Sequence, residues 1–197
     1  MLKTPQQKVL YLKQQYFYPA IADLKGRVLE IGFGKGRSLA YYSDKCEIFL
    51  LEKSDKKIRL AKKNRDGEYK NIEFFKGEAE SLSFEDNFFD AVVVSFVLCS
   101  VISLETAIKE IERVLRPGGK LILLEHVKSD NKVIGRIQEI FAKPYSLIFK
   151  NCHPNRNPLL FISKNVFDLS IEIKTPYILG KLIFVEAHKK IMGREGS

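Results

Sequence analysis

A chain of 197 residues with a formal net charge of +9 is long enough for one sizeable core and too short for a cofactor domain joined to a separate substrate domain. Hydrophobic residues at 45% and charged residues at 29% describe an ordinary globular protein. No apolar run reaches the length of a bilayer span and Met1-Leu-Lys-Thr-Pro5 lacks a signal h-region, so a cytoplasmic protein is expected. Cys46, Cys99 and Cys152 have no paired spacing, and the histidines are scattered at 126, 153 and 188, so neither a disulfide framework nor a metal is expected and the compartment reads as reducing. The charge is uneven. Residues 27–127 hold 17 Lys/Arg against 17 Asp/Glu, residues 1–26 hold four against one, and residues 128–197 hold twelve against six. A solvated surface, an acidic substrate, a membrane surface and nucleic acid are all compatible with basic ends of this kind.

Thr4 as N-cap and Pro5 at the first position predict a helix over residues 5–18, with Val9, Leu12, Tyr16 and Phe17 on one face and Pro19 as its breaker. Val28, Leu29 and Ile31 predict a short buried strand. Gly32, Gly34 and Gly36 then come at alternate positions, a pattern that permits positive φ and close approach of backbone to a ligand. Ser38–Tyr42 is expected to resume as helix, with its N-terminus aimed over the glycines. Phe49-Leu-Leu-Glu52 predicts a second strand ending in an acid, about where folds of this kind set a carboxylate on ribose hydroxyls.

Further on, Ser54 caps a lysine-rich helix running to about Arg65, and Asn71–Lys76 predicts a third strand. Asp90–Ser95 is apolar throughout, as a central parallel strand should be. Ser103–Leu115 carries the clearest helical stripe, at Leu104, Ile108, Ile111 and Leu115; Arg116-Pro-Gly-Gly119 ends it, and Lys120–His126 is a fifth strand. Val133–Lys150 reads as an amphipathic helix kinked at Pro144, with Ile134, Ile137, Phe141, Tyr145 and Ile148 on one side. A polar loop, Asn151–Pro158, leads to two late alternating strands, Leu169–Thr175 and Gly180–His188, and the tail from Met192 is expected to fray.

A glycine turn followed about twenty residues later by an acid points to a nucleoside cofactor. The dinucleotide fingerprint wants Gly or Ala where this chain has Arg37. Acids at Glu30, Glu52 and Glu78 would repel a pyrophosphate and attract a cationic sulfonium. The pattern Glu30-x-Gly32-x-Gly34-x-Gly36 resembles motif I of class I S-adenosylmethionine (SAM) methyltransferases. Gly77-Glu-Ala-Glu-Ser-Leu-Ser-Phe84 resembles their Gly-Asp-Ala-Glu-x-Leu-Pro-Phe loop, with Glu for Asp and Ser for Pro. Leu115-Arg-Pro-Gly-Gly-x-Leu121 resembles their post-motif.

The resemblance implies an α/β fold: a Rossmann-like, doubly wound sheet of seven strands, mostly parallel with an antiparallel last strand, and helices on both faces. Residues 1–26 would form a helical lid, 27–126 the SAM-binding core, 127–167 a substrate-side insertion and 168–190 the last two strands. SAM would be the cofactor and S-adenosylhomocysteine the product. Cofactor contacts would come from Glu30, Gly32, Phe33, Gly34, Gly36, Glu52, Lys53, Glu78, Ala79, Glu80, Ser95 and Phe96, with the acid at 78 on the adenine edge.

Methyl transfer needs alignment and exclusion of water more than a catalytic constellation. His126, at the carboxyl end of the fifth strand, is the candidate base by position, and a structural post is the other role open to it. Tyr16, Phe141, Tyr145, His153 and Arg156 are the candidate substrate contacts.

Val97-Leu-Cys-Ser-Val101, Glu125-His-Val127 and Cys152-x-x-x-Arg156 resemble the branch that contains membrane-associated alkyl thiol methyltransferases. That branch has an N-terminal anchor and a tryptophan after the fifth strand, features not found in this sequence. The ubiquinone and menaquinone methyltransferases share the core motifs. The expected activity is methylation of a small, partly apolar acceptor, either a thiol or a quinone or lipid. An RNA methyltransferase or a non-catalytic SAM-binding protein is the reading from a different class. Peripheral membrane contact through the basic ends is expected, and nucleic acid is disfavoured because Ser95-Phe-Val-Leu98 replaces an Asn/Asp-Pro-Pro-Tyr motif.

Overall fold

The computed structural model describes residues 4–63, 71–148, 152–177 and 180–191. Seven strands, β1 (Gly26–Ile31), β2 (Cys46–Glu52), β3 (Ile72–Lys76), β4 (Phe89–Ser95), β5 (Leu115–Val127), β6 (Phe167–Tyr177) and β7 (Gly180–Lys189), form one sheet in the order β3-β2-β1-β4-β5-β7-β6. The first five pair in parallel, and β7 runs antiparallel to both β5 and β6. The strand order reverses between β1 and β4, and that switch point opens a crevice at the carboxyl ends of the strands.

The central strands have no solvent face. Ala91 and Val93 of β4, Ile122 and Leu124 of β5, and Leu182 and Phe184 of β7 serve one hydrophobic layer, while Val92, Val94, Leu121, Leu123, Ile183 and Val185 serve the other. Alternation with period two supplies both layers from the same continuous apolar runs. Helix α4 (Leu104–Val114) covers one face through Leu104, Ala107, Ile108 and Ile111; its N-cap Ser103 accepts the Thr106 N–H. On the other face lie the N-terminal helical segment and Ala61 of α3 (Asp55–Lys63).

The expected helix at the N-terminus does not break at Pro19. α1 (Pro5–Leu12) starts with a full capping box between Thr4 and Gln7, widens into a π-helical turn over Lys13–Phe17, and continues as α2 (Tyr18–Ala22). Proline has no N–H and its ring would strike the Gln15 carbonyl of a regular α-helix. The wider turn, in which the Tyr18 N–H reaches the Lys13 carbonyl, removes that conflict. It also shifts the buried face by one residue, to Leu12, Phe17 and Ile21.

The helix expected at Ser38–Tyr42 is only a 3-10 turn over Leu39–Tyr41. The chain has few residues between the glycine turn and the start of β2 at Cys46, so a dipole-bearing helix has no room to form. At the other end of the core, Leu115 is already extended, and Arg116–Gly119 form an irregularity inside β5 where the register skips between Phe89 and Ala91. The expected frayed tail from Met192, the end of the helix expected to reach Arg65, and the Tyr145 and Ile148 side chains lie outside what is described.

Helix α5 (Lys132–Ile148) contains Pro144 and is amphipathic as expected, but its apolar side faces out. Gly135, Gln138, Ala142 and Ser146 are the buried positions. Val133, Ile140 and Leu147 are 69%, 70% and 85% exposed, and Ile137 and Phe141 lie on the same outward stripe. Gln138 sets this orientation: its side chain accepts the Ser129 N–H and donates to the Pro154 carbonyl, satisfying two loop ends that apolar residues would leave unpaired.

Candidate active site

Gly32, Gly34 and Gly36 all adopt positive φ, at 72°, 62° and 72°. They turn the chain out of β1 at the switch point, with the Gly32 N–H still donating to the Leu51 carbonyl at 2.7 Å. Two clefts meet over this turn and share Gly32 and Phe96. One, of about 270 Å³, runs past the end of β2 and includes Glu52, Lys53, Glu78, Ala79 and Glu80. The other, of about 330 Å³, lies between the turn and the N-terminal helical segment and includes Lys13, Phe17, Glu30, Gly34, Arg37 and Ser95. Together they make a groove across the carboxyl ends of β1, β2 and β4.

Both buried acids of the groove are held from behind. The Glu30 carboxylate accepts the Ser38 hydroxyl at 2.7 and 2.8 Å and the Tyr42 hydroxyl at 3.1 Å; burial raises its pKa, and these bonds and the Lys13 charge oppose that rise. Glu52, 3% exposed, accepts the Ser54 N–H at 3.1 Å through one oxygen and the Lys57 ammonium at 3.0 Å through the other. Each oxygen keeps acceptor capacity for a further donor. Lys13 sits 5.7 Å from the ring centres of both Phe17 and Phe96, and burial lowers its pKa against the pull of Glu30.

The loop after β3 is fixed by α4: Arg113 donates to the Leu82 and Phe84 carbonyls and to Glu110 and Asp86, and Glu110 accepts the Leu82 N–H. Glu80 accepts the Ile102 N–H and so ties this loop to the one after β4. At the groove's centre Phe96 holds a positive φ of 56°, a strained position for a non-glycine residue and the kind that clusters at functional sites.

SAM fits this geometry on two observations. A Cβ added to Gly34 would meet only the Gly32 carbonyl oxygen, at 4.0 Å, and would otherwise stand in the open groove. The Ser95 hydroxyl in the same cleft is buried without a hydrogen-bond partner. Most of the residues expected to hold the cofactor line the groove: Glu30, Gly32, Phe33, Gly34, Glu52, Lys53, Glu78, Ala79, Glu80, Ser95 and Phe96. Gly36 turns the chain behind it. Val97, Ser100 and Val101, from the stretch after β4 expected to border the reacting methyl, also line it, as do Ile102, Arg37, Lys13 and Lys57, of which Lys13 and Lys57 were not singled out from the sequence. A lone lysine on the buried side of the N-terminal helix was the only available signal for Lys13.

The expected substrate contacts are dispersed, and none of those described lines either cleft. Tyr16 stacks on Phe184 at 5.8 Å, and Phe141 is exposed on α5. Arg156 donates to the backbone carbonyls of Leu98, Val101 and Ile102, and the His153 N–H donates to the Cys99 carbonyl. These two residues brace the cleft-lining loop from behind. His126 stacks against Phe96 at 6.1 Å, and its Nε2 lies 2.9 Å from Cys152 Sγ. Burial works against the imidazolium, but Cys152 and the Glu125 carboxylate outweigh it and raise the His126 pKa.

The topology also brings Cys99 to this pair, although the three residues are far apart in sequence. Hydrogen bonding from Cys99 and His126 lowers the Cys152 thiol despite its burial, and the Cys99 thiol is raised correspondingly. Glu125 is fully buried and pushed up to about 7 by desolvation. One of its oxygens accepts the Val97 and Leu98 N–H groups, and the other has no partner.

Comparison with known proteins agrees with the geometry. Residues 29–123 match the profile of the methyltransferase domain family. The ubiquinone/menaquinone biosynthesis C-methyltransferase UbiE of Shewanella oneidensis is 33% identical over 122 residues, 59% of this chain and 49% of the relative. The chain thus spans about half the length of the curated relatives it matches. Among solved structures, the YcgJ protein of Bacillus subtilis superimposes with a TM-score of 0.74 at 17% identity, covering 93% of this chain and 99% of that one. A SAM-dependent methyltransferase of Methanosarcina mazei gives 0.68 at 23% identity, covering 89% and 98%.

Proposed function

From the premise that the chain carries a class I methyltransferase domain, we propose that it transfers a methyl group from SAM to a small, partly apolar acceptor. The observation that carries this reading is the groove itself, with buried Glu52 at one end, Lys13 and Glu30 at the other, and Gly32 and Phe96 between. Glu52 would accept from ribose hydroxyls, and Glu78 and Ala79 would meet the adenine edge. Lys13 and Arg37 suit a carboxylate, and Glu30 and Ser95 an ammonium, at the amino-acid end. Once bound, SAM supplies an activated methyl group. The chain has to hold the acceptor in line with it and exclude water, and Phe96, braced by His126, stands at the junction of the clefts. Release of S-adenosylhomocysteine should be assayed with quinols, alkyl thiols and lipids as acceptors. Product above the acceptor-free background with at least one class supports the proposal, and background rates with all of them, from a chain that binds SAM, count against it.

The outward stripe on α5 supports a membrane-borne acceptor. Val133, Ile137, Ile140, Phe141 and Leu147 form an apolar strip beside exposed Lys132, Arg136 and Lys143. Each such cation contributes about 1 kcal/mol near an anionic lipid surface. Among the described residues no helix is long and apolar enough to cross a membrane, so the contact would be peripheral. Phosphatidylglycerol vesicles should sediment the protein where phosphatidylcholine vesicles do not, and Ile140→Glu with Leu147→Glu should abolish it. Equal binding of that double variant, or a dimer that depends on the stripe without lipid, would refute the membrane reading.

A further inference from the structure

We infer that Cys99, His126 and Cys152 form a binding site for a thiophilic divalent cation, zinc above all, with its fourth position open to an exogenous thiolate. Their ligating atoms lie within 4.8 Å of one another, and His126 Nε2 is 2.9 Å from Cys152 Sγ. Tetrahedral zinc with Zn–S and Zn–N bonds of about 2.3 and 2.0 Å spaces its ligands roughly 3.5–3.8 Å apart, so small side-chain shifts would close the set around an ion. Two thiolates and an imidazole suit zinc, and hard oxygen-seeking cations would be disfavoured.

The surroundings fit a metal centre. Cys99 and Cys152 are free thiols, and Cys99 is buried in the loop behind the cleft wall. That loop is held from three sides: the Glu125 carboxylate accepts the N–H groups of Val97 and Leu98, the His153 N–H donates to the Cys99 carbonyl, and Arg156 donates to the carbonyls at 98, 101 and 102. Preorganised ligands of this kind are what outer-shell contacts provide.

Loading the ion releases two protons to solvent, one from the Cys99 thiol and one from the hydrogen-bonded Cys152–His126 pair, and leaves a neutral centre of one divalent cation, two thiolates and a neutral imidazole. Three protein ligands leave one tetrahedral position, and a thiol bound there is held deprotonated. His126 stacks on Phe96, which both clefts share, so a thiolate on the ion would stand beside the proposed methyl-transfer groove. This acceptor role rests on the methyl-transfer reading; the metal site does not.

The test uses the full chain, reduced and metal-stripped, titrated with Co(II) as a spectroscopic stand-in and with Zn(II) against a chromophoric chelator. A single equivalent should bind, with a strong thiolate-to-cobalt charge-transfer band. Cys152→Ser, at a half-buried position, and His126→Ala should lose the band. Cys46→Ser should keep it, since the Cys46 thiol contacts the Leu24 carbonyl and the Ser43 hydroxyl on the far side of β1. A small alkyl thiol should shift the band. Circular dichroism of each variant separates loss of the site from loss of the fold. No stoichiometric uptake, uptake that survives Cys152→Ser, or a Cys99–Cys152 disulfide in its place would overturn the metal site; a band that thiol leaves unmoved would overturn the acceptor role. Titration of the metal-free protein with SAM reads the groove separately, so failure of one reading is distinguishable from failure of the other.

Discussion

Gly32→Val should produce a chain that is several kcal/mol less stable and does not bind SAM. An ideal Cβ at this position would lie 2.2 Å from Val97 Cγ2, and the φ of 72° disfavours any L side chain, a β-branched one most of all. The left-handed backbone costs about 1–2 kcal/mol, and overpacking against Val97 about 1–3 kcal/mol. The Val97 backbone is tied to Glu125 through its N–H, so relief has to come from rotating the Val97 side chain, which would disturb the cleft that this residue lines. Thermal unfolding and ligand binding should therefore fail together. Gly34→Ala separates the two effects: its Cβ meets no protein atom nearer than 4.0 Å but stands in the groove, so stability should fall only by the backbone cost while SAM affinity drops.

Glu52→Ala should weaken SAM binding by about 1.5–3 kcal/mol, the range for hydrogen bonds to a charged group, which is roughly ten- to hundredfold in Kd. The carboxylate is almost fully buried and already fixed by the Ser54 N–H and Lys57, so it need not be ordered when a ligand arrives. Its removal also strands the Ser54 N–H, at a cost of about 1–3 kcal/mol in stability. Lys57, 44% exposed, can return to water. The affinity loss should be read in the folded variant, below its unfolding transition.

The core and the cofactor side of the groove were legible because local chemistry dictates them. Apolar runs of strand length, three alternating glycines and an acid at the end of β2 have one comfortable arrangement in a parallel sheet. Lys13 and Arg37 were not legible, since their place in the groove depends on a π-helical turn and on a helix shortened to three residues. Periodicity identified α5 as amphipathic but could not say which side faces the protein. Gln138 and the small residues Gly135, Ala142 and Ser146 decided that, through loop carbonyls and N–H groups supplied from elsewhere in the chain. The meeting of Cys99, His126 and Cys152 depends on the loop over 152–156 folding back onto the end of β4, and spacing along the chain carries no trace of it.

Calorimetric titration of SAM into the full chain reads directly whether the groove over Gly32–Gly36 holds the cofactor. Saturable binding at a single site is expected in the wild type, weakened roughly ten- to hundredfold by Glu52→Ala and weakened also by Gly34→Ala. A folded wild-type chain that takes up no SAM, or the same affinity in both variants, would contradict it.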